Sequence, residues 1–358
     1  MKKFKNVLII IQRSNGDVFF ASTLVNKLKK TYDCNIDLLV NDDTLSIAKL
    51  FQHVRRIHTF SYHMKKTSKW SQEKSIIKSI FRKYDLSINL TSSDRSVLYA
   101  ILASRNSISA VETQKKKSWW KKLLLWKYYF FDTNSHILLN NLSSLNLLNI
   151  EHPKVHIPIE ISQLSIDSVK KKLYDLGVED FIIFHPSAQY SYKIYPKENR
   201  DKLLSLLSSL NCKFIVTGSN NSIDTTISQE IKSDKNIINL IGKTTIEEFV
   251  ALSYYSRAYI GMDTLNMHIA SSQNKKIFAI FGPTNLRMWS PWSNLSGKCT
   301  QINTPMQTYD KITIFQADLP CVACGMAGCD DNHGKSECLY HIDPKKIFSE
   351  VKKFVDTF

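Results

Sequence analysis

RAYIGMDTLNMHIASSQNKKIFAIFGP, residues 257–283, passes from a short apolar run through Asp263 and Thr264 into a helical pattern, then into a second apolar run. Short runs rich in β-branched and aromatic residues read as buried strands. Two of them joined by a helix predict a parallel pair with a crossover. The junction at Asp263 has two readings. In one, Asp263 or Thr264 caps the helix and His268 packs. In the other, the helix start holds an anion: its first backbone N–H groups favour phosphate, Thr264 adds a hydroxyl, and His268, four residues on, lies on the same face.

The same grammar runs outward from this stretch. Upstream lie DFIIFHP (180–186), CKFIVTG (212–218) and NIINLIG (236–242), each followed by a helical pattern. Further upstream it restarts: NVLIII (6–11), NIDLLV (35–40), VRRIHTF (54–60) and YDLSINL (84–90) alternate with helical segments. Alternating βα order predicts α/β architecture with parallel sheets covered by helices on both faces. NIEHPKVHIPIEISQLSIDS (149–168) has two prolines and little periodicity and reads as a linker. The expected layout is a Rossmann-like domain over 1–165, a second over 166–342 and an amphipathic C-terminal helix over 343–358.

The 358 residues are enough for two cores, and 43% hydrophobic with 22% charged is a globular composition. The N-terminal MKKFKNVLIII has basic residues before an apolar run. That run is short, ends in Arg13 and lacks a small-residue cleavage site, so it reads as a first strand of a cytoplasmic protein. Residues 1–130 hold 25 Lys and Arg against 9 Asp and Glu, while the rest holds 23 of each. The whole net charge of +16 therefore sits in the first third, a field that attracts a polyanion to one domain.

Candidate site residues fall where strands end. In RSNGDVFF (13–20), Asp17 is either a helix cap or a general base. In HPSAQYSYKIYP (185–196), Ser187 and Lys193 follow the first strand of the second half, and a lysine there can neutralise a phosphate. Thr217 and Gly218 close the next strand, and Thr244 or Thr245 starts the helix of IGKTTIEEF (241–249). Each loop alone suits an ordinary turn or cap. Their common position at the ligand-facing edge of a parallel sheet is what points to a binding site.

RSNGDVFF, YDLSINLTSSDRS (84–96), FHPSAQYSYKIYP (184–196) and the run from NLIGKTTIEEF (239–249) to FAIFGPTNLRMWSPW (278–292) together resemble glycosyltransferase family 9, the ADP-heptose:lipopolysaccharide heptosyltransferases. The resemblance implies a GT-B fold, two Rossmann-like domains with parallel sheets facing one cleft. It implies inverting, metal-independent transfer from a nucleotide sugar, ADP-heptose first. Asp17 matches the family's proposed base, and Lys193 the donor-phosphate lysine, so both are carried over as catalytic. Ser187, Thr217, Gly218, Thr244, Asp263, Thr264, Leu265 and His268 become donor-binding candidates. Leu265 stands where the family usually has Gly, and Tyr195 where it usually has Trp.

The implied partners are the nucleotide-sugar donor, an acidic lipid-linked saccharide acceptor and the anionic inner-membrane surface, with the protein peripheral on its cytoplasmic side. KKKSWWKKLLLWKYYFF (115–131) mixes lysines with tryptophans as an interfacial segment does; its other reading is a helix with a basic outer face and a core-facing stripe. Arg95 and the Arg55–Arg56 pair could meet the acidic acceptor or be surface charges. No nucleic-acid motif is present, so nucleic acid is not an expected partner, although a non-enzymatic polyanion-binding protein is the competing class. Cys321, Cys324, Cys329 and Cys338 could bind a structural zinc; a loop of free thiols is the favoured reading.

Overall fold

The computed structural model describes residues 3–64, 69–113, 115–152, 154–232 and 234–357. The chain divides into two compact units, residues 1–160 and 161–358. The division falls inside the proline-bearing 149–168 segment, five residues before the boundary expected from sequence.

Unit 1 is built on β1 (Asn6–Ile11), β2 (Asn35–Asn41), β3 (Val54–Phe60), β4 (Leu86–Asn89), β5 (Ser107–Val111) and β6 (Lys127–Phe130). The sheet order is β3-β2-β1-β4-β5-β6, and every pairing is parallel. One-turn helices aside, its helices are α1 (Asn15–Phe20), α2 (Ser22–Tyr32), α3 (Lys69–Ile80), α4 (Asp94–Ala103), α5 (Lys115–Leu124) and α6 (Ile137–Leu147). β1 is apolar along nearly its whole length because it is paired on both edges and covered on both faces, with Val7 to Ile11 buried. Strand order reverses between β1 and β4. The loops leaving those two strands therefore diverge and open a crevice at the carboxyl edge of the sheet.

Unit 2 repeats the plan with β7 (Phe181–His185), β8 (Lys213–Val216), β9 (Ile237–Asn239), β10 (Ala258–Met262), β11 (Lys276–Ile280), β12 (Met306–Tyr309) and β13 (Ile312–Phe315). The order is β12-β13-β11-β10-β7-β8-β9, parallel except for the β12–β13 hairpin at one edge. Its helices are α7 (Gln163–Asp175), α8 (Lys197–Leu207), α9 (Ser222–Glu230), α10 (Ile246–Tyr255), α11 (Leu265–Ser272) and α12 (Pro344–Val355). Here the reversal lies between β7 and β10. Gly261 is required at that seam: a Cβ there would press on the His185 carbonyl oxygen and lie 2.9 Å from Tyr259 Oη. The C-terminal helix α12 packs on α8, and Ile347, Val351 and Val355 join Leu203, Leu207 and Tyr195 in the core of unit 2.

Three local readings differ from the structure. The first helical pattern is two helices, broken at Ala21. Residues 127–130, read with the basic aromatic segment, form edge strand β6, and the β12–β13 hairpin was not foreseen. The side chains of Lys115, Lys116 and Lys117 lie outside the described residues.

Candidate active site

The crevice of unit 2 lies between the loop after β7 and the start of α11, and its centre is an ion pair. Lys193 Nζ stands 3.1 Å from Asp263 Oδ2, with Asp263 almost fully enclosed. Burial alone would lower the Lys193 pKa. The Asp263 charge and hydrogen bond outweigh that and raise it, so Lys193 is firmly cationic. Asp263 thus pairs with lysine rather than capping α11. Thr264 occupies the cap position, but its side chain makes no capping hydrogen bond. Its hydroxyl lies 3.4 Å from Tyr259 Oη instead. The first-turn amides of α11 are therefore not taken up by the cap side chain, which leaves a positive helix start beside a lysine. Leu265 and Asn266, the first two residues of the helix, are half-buried.

Behind this pair lies a neutral layer. His268 is buried, and burial, with Lys193 adding and Asp263 opposing, pushes its pKa down to about 4. His185, the last residue of β7, is held the same way, down to about 4 by burial, partly offset by the Asp224 charge. His185 Nδ1 is 3.0 Å from Thr217 Oγ1 and 3.2 Å from Asn266 Nδ2. Both imidazoles are neutral at pH 7, so the positive charge of the crevice is carried by Lys193 and the helix start.

The remaining candidates sit at the same sheet edge. Ser187 is buried two residues beyond β7. Gly218 follows β8, where a Cβ would come within 3.2 Å of Asp224 and Ile241. Thr244 is half-buried, and it is Thr245 that caps α10, through a reciprocal pair of bonds with Glu248. Glu248 also accepts from Ser168 and Lys172 of α7. Hydrogen bonds and ion pairs between described residues join Lys193 to Asp263, and Thr217 and Asn266 each to His185. They do not tie Ser187, Gly218 or Thr244 into those groups. Tyr195, in the usual tryptophan's place, is fully buried and donates to the Ile342 carbonyl at 2.6 Å.

In unit 1, Asp17 sits in the first turn of α1, beside the β1–β4 reversal. It does not cap the helix: Ser14 holds that position and donates to Asp17 Oδ2 at 2.6 Å, while Arg13 Nε lies 2.7 Å from Oδ1. Burial raises the Asp17 pKa, and Arg13 and Ser14 oppose the rise. A carboxylate so enclosed is a stronger base than a solvated one. Arg95, on the β4 side of the crevice, lies over the Phe60 ring at 3.7 Å, donates to Tyr62 Oη at 2.8 Å and reaches Gln12 Oε1 at 3.4 Å. Arg55, whose side chain is half exposed, makes two hydrogen bonds to Asp37 of 3.0 and 2.9 Å.

Sequence reasoning missed Arg13, His185 and Asn266. His185 and Asn266 had a signal: each is a polar residue interrupting an apolar run at a strand or helix end. Of the four clustered cysteines, Cys321, Cys324 and Cys329 are exposed and Cys338 is buried. Among the described residues no three His, Cys, Asp or Glu side chains are grouped to hold a metal ion.

Residues 74–317, well over half of the chain, match the model of glycosyltransferase family 9 (heptosyltransferase). The chain belongs to this family. It is a glycosyltransferase, and its two α/β units are those of the GT-B fold. This family 9 enzyme is 27% identical to lipopolysaccharide heptosyltransferase 3 of Escherichia coli K12 over 289 residues, 78% of this chain and 83% of that one. The glycosyltransferase family 9 protein of Veillonella parvula superimposes with a TM-score of 0.76 at 15% identity, covering 99% of this chain and 98% of that one. The E. coli heptosyltransferase WaaC with ADP-2-deoxy-2-fluoro heptose superimposes at 0.69 and 13%, covering 97% and 99%. At such identities the two structures speak for the fold.

Proposed function

We propose that this enzyme moves a heptose from an ADP-linked donor to a lipopolysaccharide or lipooligosaccharide acceptor, with inversion and without a catalytic metal. The observation that carries the reading is the Lys193–Asp263 pair at the start of α11, in the crevice where strand order reverses. A diphosphate leaving group needs positive charge and N–H donors, and Lys193 with the first amides of α11 supplies both. Thr264 and Ser187 add hydroxyls, and Thr217, Gly218 and Thr244 line the rest of the donor edge. Asp17, ionised, accepts the proton of the attacking acceptor hydroxyl. Direct displacement from the face opposite the leaving group inverts the anomeric centre. The names of the relatives support this reading, as does the ADP-sugar analogue in the WaaC structure.

The acceptor is an acidic, lipid-linked saccharide, and the enzyme works on the inner face of an anionic membrane. No helix among the described residues is long and apolar enough to cross a membrane. The excess of basic residues in the first third supports an anionic partner.

The test is transfer by purified enzyme from ADP-heptose to a core saccharide acceptor, with UDP- and GDP-sugars, a chelator arm and the Asp17→Asn variant. The reading expects product from the ADP-sugar alone, an unchanged rate with chelator, and a loss of about 10²- to 10⁴-fold in Asp17→Asn. Full activity in that variant, or no binding of any nucleotide sugar, overturns it. Leu265 in the usual glycine's place favours a second reading, in which the same fold takes a different sugar; product from another nucleotide sugar would establish it.

A further inference from the structure

α5 and β6 leave a set of large apolar side chains outside the core. Trp119, Leu123 and Leu124 on or at the end of the helix are 62%, 74% and 58% exposed, and Trp126, Tyr128 and Phe130 follow on the edge strand and its approach. The segment is not loosely attached. Ser118 and Leu125 are buried, and Trp120 packs on Val97, Val111 and Leu125. Lys121, which a sequence reading assigns to the basic outer face, is buried and bonds the Ser92 carbonyl oxygen at 2.6 Å and Asp94 at 2.9 Å. The fold thus spends one lysine and one tryptophan to fix α5 and turns the remaining apolar side chains outward.

The cations that remain are interleaved with those rings. Lys122 Nζ lies 4.9 Å from the Phe130 ring centre, while Lys127 Nζ, 4.8 Å from that of Trp126, donates to the Leu147 carbonyl oxygen at 2.6 Å and helps fix β6. Isolated exposed hydrophobics need no explanation, but a contiguous set does. Rings at a wet boundary, apolar side chains beyond them and lysines that can reach back to phosphate are the chemistry of an interfacial segment. The unit that carries it also carries most of the excess of positive charge.

We propose that this face docks unit 1 on an anionic lipid bilayer, with Trp119, Leu123 and Leu124 entering the acyl boundary and Lys122 meeting headgroup phosphates. The proposal rests on the reading that the acceptor is lipid-linked. The depth is limited by β6: an unpaired strand edge keeps its N–H and C=O groups hydrated, so the strand stays at headgroup level while the helix side chains go below it. Docking then holds the enzyme where its acceptor is concentrated. A second copy pairing along β6 is the competing occupant of the same face.

The test is co-sedimentation with vesicles of phosphatidylcholine alone and with about one third phosphatidylglycerol, for wild type and for Leu123→Glu/Leu124→Glu, beside the oligomeric state in solution. Wild type is expected to bind the anionic vesicles, to shift its tryptophan emission to the blue, and to lose binding in high salt. The double variant is expected to bind at least about tenfold more weakly. Its thermal melt should match wild type, and so should its transfer to a delipidated acceptor. A Trp119→Ser variant serves if the double variant melts early. Binding unchanged by these substitutions, no preference for anionic vesicles, or a wild-type dimer that the substitutions convert to monomer would overturn the proposal. Because vesicle binding is read without any sugar, failure of the donor assignment and failure of the docking face are separate results.

Discussion

Replacing Lys193 by Met removes the ammonium from a carboxylate with almost no water around it. The pair spans 3.1 Å, with the side chains 26% and 7% exposed. At an effective dielectric of about 20 the gross attraction is about 5 kcal/mol. Breaking a buried pair by removing one partner costs about 3–5 kcal/mol, and the partial exposure of Lys193 places the expected loss near the low end, about 2–3 kcal/mol. Adding Asp263→Asn removes the stranded charge, so the double variant should return to within about 1 kcal/mol of wild type. Activity should behave differently. A lysine that stabilises the leaving diphosphate is worth about 10²- to 10³-fold in kcat, and neutralising Asp263 cannot replace it. Urea unfolding and transfer rates of the four proteins in this cycle separate the two roles. If the double variant regains transfer together with stability, Lys193 is only the structural partner of Asp263 and the assignment of the donor site is wrong.

Arg13 and Ser14 oppose the rise in the Asp17 pKa that burial causes. Arg13→Met should therefore move the acidic limb of the kcat–pH profile to higher pH; an unmoved limb would separate Asp17 from the rate. His185 and His268 have folded-state pKa values of about 4 against 6.5 for the free side chain. The unfolded chain protonates first, so stability is complete above about pH 7 and falls as pH drops from 6.5 towards 4. Each histidine should cost about 2 kcal/mol at pH 5, and His268→Gln should flatten the slope of urea midpoint against pH. Gly261→Ala forces β10 away from β7 and should cost about 3 kcal/mol, read as a lowered thermal midpoint.

The parallel sheets were legible because doubly covered strands leave continuous apolar runs such as NVLIII and DFIIFHP, bounded by turns. β6 was not: KYYF alternates half-buried and exposed residues, and its aromatics gave no sign that they form a sheet edge. The β12–β13 hairpin was hidden for a similar reason, since MQTY is a short, half-exposed edge strand. At the site, single residues stood out where a strand stops, as Asp17 and Lys193 do. Pairings did not. Lys193 and Asp263 are 70 residues apart, and only the adjacency of β7 and β10 brings them together. Arg13 and Ser14 were visible as letters, but their grip on Asp17 depends on where α1 begins.

The loop that carries Lys193 is fastened by residues made much later. Tyr195 bonds the Ile342 carbonyl oxygen, 147 residues on, and α8 packs against α12. At about 5–20 residues per second, a ribosome needs roughly 7–30 s to travel from one to the other. β7 precedes Tyr195 and the other six strands of the unit 2 sheet are synthesised within that interval, so the sheet can assemble while Tyr195 and the apolar side of α8 are still uncovered. The nascent enzyme therefore has unit 2 in outline well before its lysine loop is fixed. That interval is when a holding chaperone would find the most to bind, and a message cut short before Ile342 would yield a sheet without a fastened Lys193 loop.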